Sequence, residues 1–143
     1  MKHKVAELEG TLLDAAVAKA EGLPFVIDRY EREHDGGREE WVMAARPGYA
    51  GADDLGRRRV DRKPFSPSTD WQHGGPIIER EQIAVVSPDI SNMGRVRHVK
   101  GWHASIPWTI DGENSFASEF GPTPLIAAMR CFVASKFGDE VEL

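Results

Sequence analysis

Thr123-Pro124-Leu125-Ile126-Ala127-Ala128-Met129-Arg130-Cys131-Phe132-Val133-Ala134-Ser135-Lys136-Phe137-Gly138 decides the fold class, because both ends and both faces of a helix can be read from it. Thr123 is an N-cap, Pro124 takes the first helical position, where a missing N–H costs nothing, and Gly138 is the C-terminal stop. Leu125, Ile126, Met129, Phe132, Val133 and Phe137 share one arc of the helical wheel. About 14 helical residues span about 21 Å, enough to cross a small domain. The opposite side carries Ala127, Cys131, Ala134 and Ser135, small and uncharged where a solvated face would hold Lys and Glu. That side is expected to be covered as well. Its neighbour would be another helix or, in a homodimer, a second copy, while the large residues pack on a sheet.

Working towards the N-terminus, Trp102–Ile106 and Trp108–Ile110 read as strand pieces parted by Pro107, with Asp111-Gly112 as a turn. Ile83–Val86 reads as a buried strand. Pro76 opens a single helical turn through Ile77, Ile78 and Glu79. Phe25–Ile27 and Trp41–Ala45 form a hairpin across the charged segment Glu31–Glu40, whose Asp35-Gly36-Gly37 is the turn signal. Leu12, Leu13, Ala16, Val17 and Ala20 recur at helical spacing between Thr11 as N-cap and Gly22 as stop. Val5–Leu8 reads as a short half-buried strand. The sum is one α+β domain over residues 1–143. It has an antiparallel or mixed sheet of four to six strands, the N-terminal and C-terminal helices on one face, and two long surface loops. One of these is a flexible Arg- and Gly-rich stretch at about 47–67, and the other is Asp89–Lys100.

The chain of 143 residues is 41% hydrophobic and 29% charged, the balance of a globular domain that can build a core without staples. One cysteine makes no internal disulfide, so a reducing cytoplasm fits. No apolar run has the length of a membrane span and the first twenty residues are amphipathic, so neither a membrane anchor nor a secretory signal is expected. A net charge of −5 gives no global attraction to nucleic acid, and binding of that kind would need a local patch.

Three blocks carry a resemblance. They are Gly121–Lys136 with Gly138-Asp139-Glu140-Val141, Ser68-Thr69-Asp70-Trp71 with Gly74–Glu81, and Leu12–Lys19. Together they resemble the phage NinX-type family, a domain of tailed phages and prophages without assigned function. The resemblance implies a small phage accessory protein in the host cytoplasm and brings no catalytic residues to transfer.

The candidate site is read from the residues themselves. Asp70, Trp71, His73, Gly74 and Gly75 put a carboxylate, an indole, an imidazole and bare backbone within six positions, and Arg80 follows one helical turn beyond. Together with Trp102, Thr123 and Arg130 they would frame a pocket for a small ligand or a phage or host protein. Thr123 stands before helix N–H groups able to hold an anion, although capping is the simpler use of its hydroxyl. Arg130, at the margin of the apolar arc, either reaches water or points into a cleft. The same loop residues are also ordinary turn and capping chemistry. Arg57, Arg58, Arg59, Arg62 and Lys63 form the local basic run, an alternative site for single-stranded nucleic acid. A small hydrolase using His73 with Asp70, Glu79 and Glu81 is the other alternative. His73, His98 and His103 with Asp70 or Asp89 lack zinc-site spacing, and no phosphate loop or dinucleotide fingerprint occurs, so no metal or cofactor is expected.

Overall fold

The computed structural model describes residues 1–45, 64–88, 101–110 and 113–143, with backbone alone at 107–110 and 113–116. The described elements make an α+β fold. In chain order they are β1 (Lys2–Lys4), a 3-10 turn (Val5–Glu7), α1 (Gly10–Ala20), β2 (Phe25–Glu31), β3 (Arg38–Ala44), α2 (Trp71–Glu81), β4 (Ala84–Val86), β5 (Trp102–Ile110), β6 (Glu113–Gly121), α3 (Pro124–Phe137) and β7 (Glu140–Glu142). The strands do not form the single sheet expected. They divide into β1-β7, β2-β3 and β4-β5-β6, all antiparallel. The reason lies in the helices: α3 packs on β5 and β6, while α1 touches both α3 and the β2-β3 hairpin, so the hairpin lies on the α1 side of the core.

The last helix starts and stops where its residues dictate. Thr123 Oγ1 accepts the Ile126 N–H at 3.1 Å, and Gly138, at φ 79°, donates its N–H to Ala134 O at 2.8 Å. Its small face is covered at Ala127 and Cys131 and only partly at Ala134 and Ser135, and the covering neighbour is the sheet, not the helix or second copy expected. Cys131 Sγ–H donates to Ala117 O of β6 at 3.3 Å, and Gly121 abuts the Ala127 backbone, so the small residues face the sheet. The Phe132 ring instead lies beside Arg80 and Lys136. Small side chains let the helix backbone settle against a strand that itself ends in glycine. Ala127 and Cys131 are fully buried within one chain, so a second copy has no access to that part of the small face.

Burial pushes the Cys131 thiol up to about 12. The thiolate is the reactive form, so Cys131 is expected to resist a thiol reagent at pH 7.5 in the native protein and to react once the chain is unfolded in urea. A stoichiometric absorbance assay with and without denaturant checks this.

Several local expectations are corrected. Val5–Leu8 is not a strand: Leu8 N–H donates to Val5 O at 3.1 Å, and the three-residue spacing turns both apolar side chains inward. Thr11 does not cap α1. The helix starts without a side-chain cap, with Glu9 extended before it, and Thr11 Oγ1 donates across to Glu40 O at 3.2 Å. The hairpin strands run on into the charged segment, because Arg29 pairs with Glu40 directly opposite and Arg32 with Glu39. Only a tight turn remains, closed by Gly37 N–H on Asp35 Oδ1 at 2.9 Å with Gly36 at φ 66°. Pro107 does not split β5, since among the described residues β4 pairs only with His103–Ser105 and the strand is paired on one side at the proline. The Asp111-Gly112 turn, most of the 47–67 stretch and nearly all of Asp89–Lys100 lie outside the described residues.

Candidate functional site

The stretch from Asp70 to Pro76, read as a loop, is helix. Asp70 is the N-cap of α2, its Oδ1 accepting the Gln72 N–H at 2.9 Å, and Pro76 sits inside the helix, not at its start. Two glycines and a proline have poor helix propensity, so packing must hold these turns. Gly74 shows how. A Cβ there would stand 2.5 Å from Pro67 O and 2.7 Å from Leu125 Cδ2, so the bare backbone lets α2 seat between the preceding turn and α3.

His73 is turned inward at 8% exposure, its Nδ1 accepting the Ser66 N–H at 3.0 Å and its ring 5.7 Å from that of Phe65. The imidazole that a hydrolase would need is thus engaged inside the fold, while the Asp70 carboxylate caps α2 at the surface. Glu81 accepts from Arg80 Nε at 3.1 Å, and Arg80 Nη2 is bonded to Glu21. That bond to Glu21 chiefly holds the Arg80 pKa above its ordinary value, and the two carboxylates answer the charge an anion would otherwise meet. Trp71, by contrast, is 56% exposed, and Gly75, one turn on, has open space where its side chain would be.

Asp14 carries a role the sequence does not announce. By sequence a first-turn acid of α1, it is buried and its Oδ1 accepts the Ser68 N–H at 2.8 Å, fastening the turn before α2 to α1. Burial raises its pKa to about 6, against the hydrogen bonds from Ser68. The folded state therefore holds this proton more tightly than the unfolded chain does. The associated stability is complete below about pH 4 and is lost as pH rises through 6, a span of about 3 kcal/mol. Asp14→Asn keeps an acceptor for Ser68 and is expected to flatten that slope and raise stability at pH 7 by about 1–3 kcal/mol. Urea denaturation of both proteins at pH 4.5 and 7 measures the difference.

The remaining candidates gather elsewhere. Trp102 opens β5 opposite Gly121, Thr123 follows two residues later, and Arg130 lies one and a half helical turns into α3. Of these three, Arg130 lines a recess of about 500 Å³, together with Ala6, Gly101, Glu119, Phe120, Gly121 and Pro122. Gly101, at φ 105°, has room for no Cβ because Gly121 O would stand 2.7 Å away. Arg130 is 9% exposed. Its Nε donates to Leu8 O at 2.7 Å and its Nη1 to Phe120 O at 2.9 Å, while Nη2 has no hydrogen-bond partner among the described residues. Burial lowers its pKa, and the charges of Glu9 and Glu119 oppose that shift. Glu119 is half-buried, and burial raises its pKa while Arg130 pulls it down.

The structure thus parts the sequence-read site in two. Trp71, His73, Gly74, Gly75 and Arg80 belong to α2 with Asp70 as its cap. Of Trp102, Thr123 and Arg130 only Arg130 lines the recess, the other two being chain neighbours of its lining residues Gly101 and Pro122, and the Gly74–Leu125 approach links the groups. Arg57, Arg58, Arg59, Arg62 and Lys63 lie outside the described residues, as do His98 and Asp89. Sequence reasoning misses Gly101, Glu119 and Phe120. The available signal is Arg130 itself, a cation on a helix margin with a glycine-proline lead-in nine residues before it. A search of the curated proteins finds no match. The family model described as bacteriophage P22, NinX matches residues 4–136, most of the chain, and the chain belongs to that family.

Proposed function

We propose that this NinX-family chain is a non-catalytic binding module that serves a phage in the host cytoplasm and takes a small ligand in the recess beside Arg130. The observation that carries the reading is the Arg130 guanidinium. It is nine-tenths buried and locked by two backbone carbonyls, with Nη2 left without a hydrogen-bond partner among the described residues, at a recess of small-molecule size. Cations fixed in this way have lost their freedom before a ligand arrives, which lowers the entropy cost of binding. The free thiol of Cys131 agrees with a reducing compartment.

A thermal-shift screen of small molecules against the wild-type protein and Ala6→Trp tests the reading. Ala6 is exposed and lines the recess, so tryptophan there fills the space without disturbing the core. Compounds that stabilise the wild type and not the variant support the reading. The absence of any stabilising compound, or equal effects on both proteins, overturns it. Single-stranded oligonucleotide belongs in the same screen at two salt concentrations, because grip by Arg57–Lys63 would weaken steeply with salt.

A second reading, docking of a phage or host protein, draws on the exposed Trp71 indole beside the open Gly75. It expects Trp71→Ser to leave stability within about 0.5 kcal/mol while weakening association with the partner.

A further inference from the structure

The groups around the recess differ in what they ask of a ligand. Arg130 offers a positive donor, Glu119 a negative acceptor, and Pro122 and Ala6 apolar surface beside Gly101 and Gly121, while the Phe120 ring turns to the other face of the sheet against His103. A ligand that is only anionic would meet repulsion from Glu119 and from Glu9 nearby. One that is only cationic would meet Arg130. A wholly apolar one would strip water from both charges and return nothing, which is costly. The class that answers each group carries both charges and an apolar substituent. A volume of about 500 Å³ accommodates a single small molecule of that kind.

Resting on the binding-module reading above, we propose that the recess binds a free α-amino acid with an apolar side chain. The ligand carboxylate accepts from Arg130 Nη2, the ammonium donates to Glu119, and the side chain lies against Pro122 and Ala6. No bond is made or broken. Arg130 cannot turn away from this task, since Leu8 O and Phe120 O hold its other nitrogens.

Isothermal titration calorimetry of the full chain with L-leucine and L-phenylalanine tests the proposal. N-acetyl-L-leucine, which lacks the ammonium, and L-leucinamide, which lacks the carboxylate, serve as single-group deletions. Each deletion is expected to weaken binding by about tenfold or more, the scale of one lost charge-assisted hydrogen bond. Glu119→Gln is expected to weaken leucine by a similar factor while leaving N-acetyl-L-leucine unchanged, and Ala6→Trp to abolish binding of both. Two results overturn the proposal: no heat with either amino acid, or both deletion analogues binding as tightly as leucine. If amino acids fail while another compound class stabilises the wild type but not Ala6→Trp, the amino-acid assignment falls and the binding module stands. If nothing binds, both fall. The analogue series is measured on the wild-type protein, so its outcome does not depend on how well either variant folds.

Discussion

Gly121→Ala is expected to destabilise the protein by about 3 kcal/mol or more, at the upper end for overpacking a core. The added Cβ would stand 2.6 Å from Ala127 N, 3.0 Å from its Cα and 3.1 Å from Ile126 C. All three are backbone atoms of the first turns of α3, so no side chain can swing aside. Either β6 or the helix must move. A helix lifted here also pulls Cys131 off Ala117 and loosens the core around Ala128, Met129 and Phe132. For a chain of this size each kcal/mol lowers Tm by about 2–4 °C, so calorimetry should show a loss of about 6–12 °C. A loss below about 2 °C would mean that the helix start yields freely, contrary to the packing described. Gly75→Ala is the control, because nothing lies within 4 Å of a Cβ there, and alanine in a helix should hold or raise Tm.

Arg130→Met is the second large effect, with an expected loss of about 3–4 kcal/mol. Two hydrogen bonds from a charged donor disappear, each contributing about 1.5–3 kcal/mol, and water that reaches the half-buried Phe120 carbonyl recovers part of the sum. The Leu8 carbonyl is left without its donor in a buried setting. The arginine joins three parts of the chain distant in sequence: the N-terminal turn, the end of β6 and α3. Arg130→Lys is expected to recover less than half the loss, because an ammonium on a flexible stem lacks the planar fork that spans both carbonyls. Urea denaturation followed by circular dichroism provides both numbers. Equal stability of Arg130→Met and the wild type would remove Arg130 as the fixed element of the recess.

The helices at the two ends of the chain are legible because their information is local. Gly22 stops α1 with φ 71°, and Thr123 and Gly138 bracket α3 by bonds to residues within a turn. Periodicity also places Leu13, Val17, Met129 and Phe132 in the core correctly. Reading fails where a residue's partner lies far along the chain. Thr11 has the chemistry of a cap, yet its hydroxyl serves Glu40. Asp14 looks like a favourable first-turn acid, and only the arrival of Ser68, 54 residues away, makes it a buried fastener. Gly74 and Gly75 look alike in sequence. One has Pro67 and Leu125 against it and the other has open space, a difference set wholly by what packs beside them.

The candidate site divides along the same line. Asp70 as a capping residue and Arg130 as a cation at a helix margin follow from residue type and spacing, which are properties of single elements. That Arg130 is bound to Leu8 and Phe120, that Glu119 shares its recess, and that Arg80 is neutralised by Glu21 are products of assembly. The amino-acid sequence by itself determined the two terminal helices, the hairpin and the first strands around Ile83 and Trp102, since caps, turns and apolar periods act within a few residues, whereas α2, β1, β6 and β7 did not show in it. Tertiary structure alone decided which face of α3 meets the sheet, how the strands divide among three sheets and where a pocket opens. Those outcomes depend on close approaches between segments dozens of residues apart, where the presence or absence of one Cβ selects the packing.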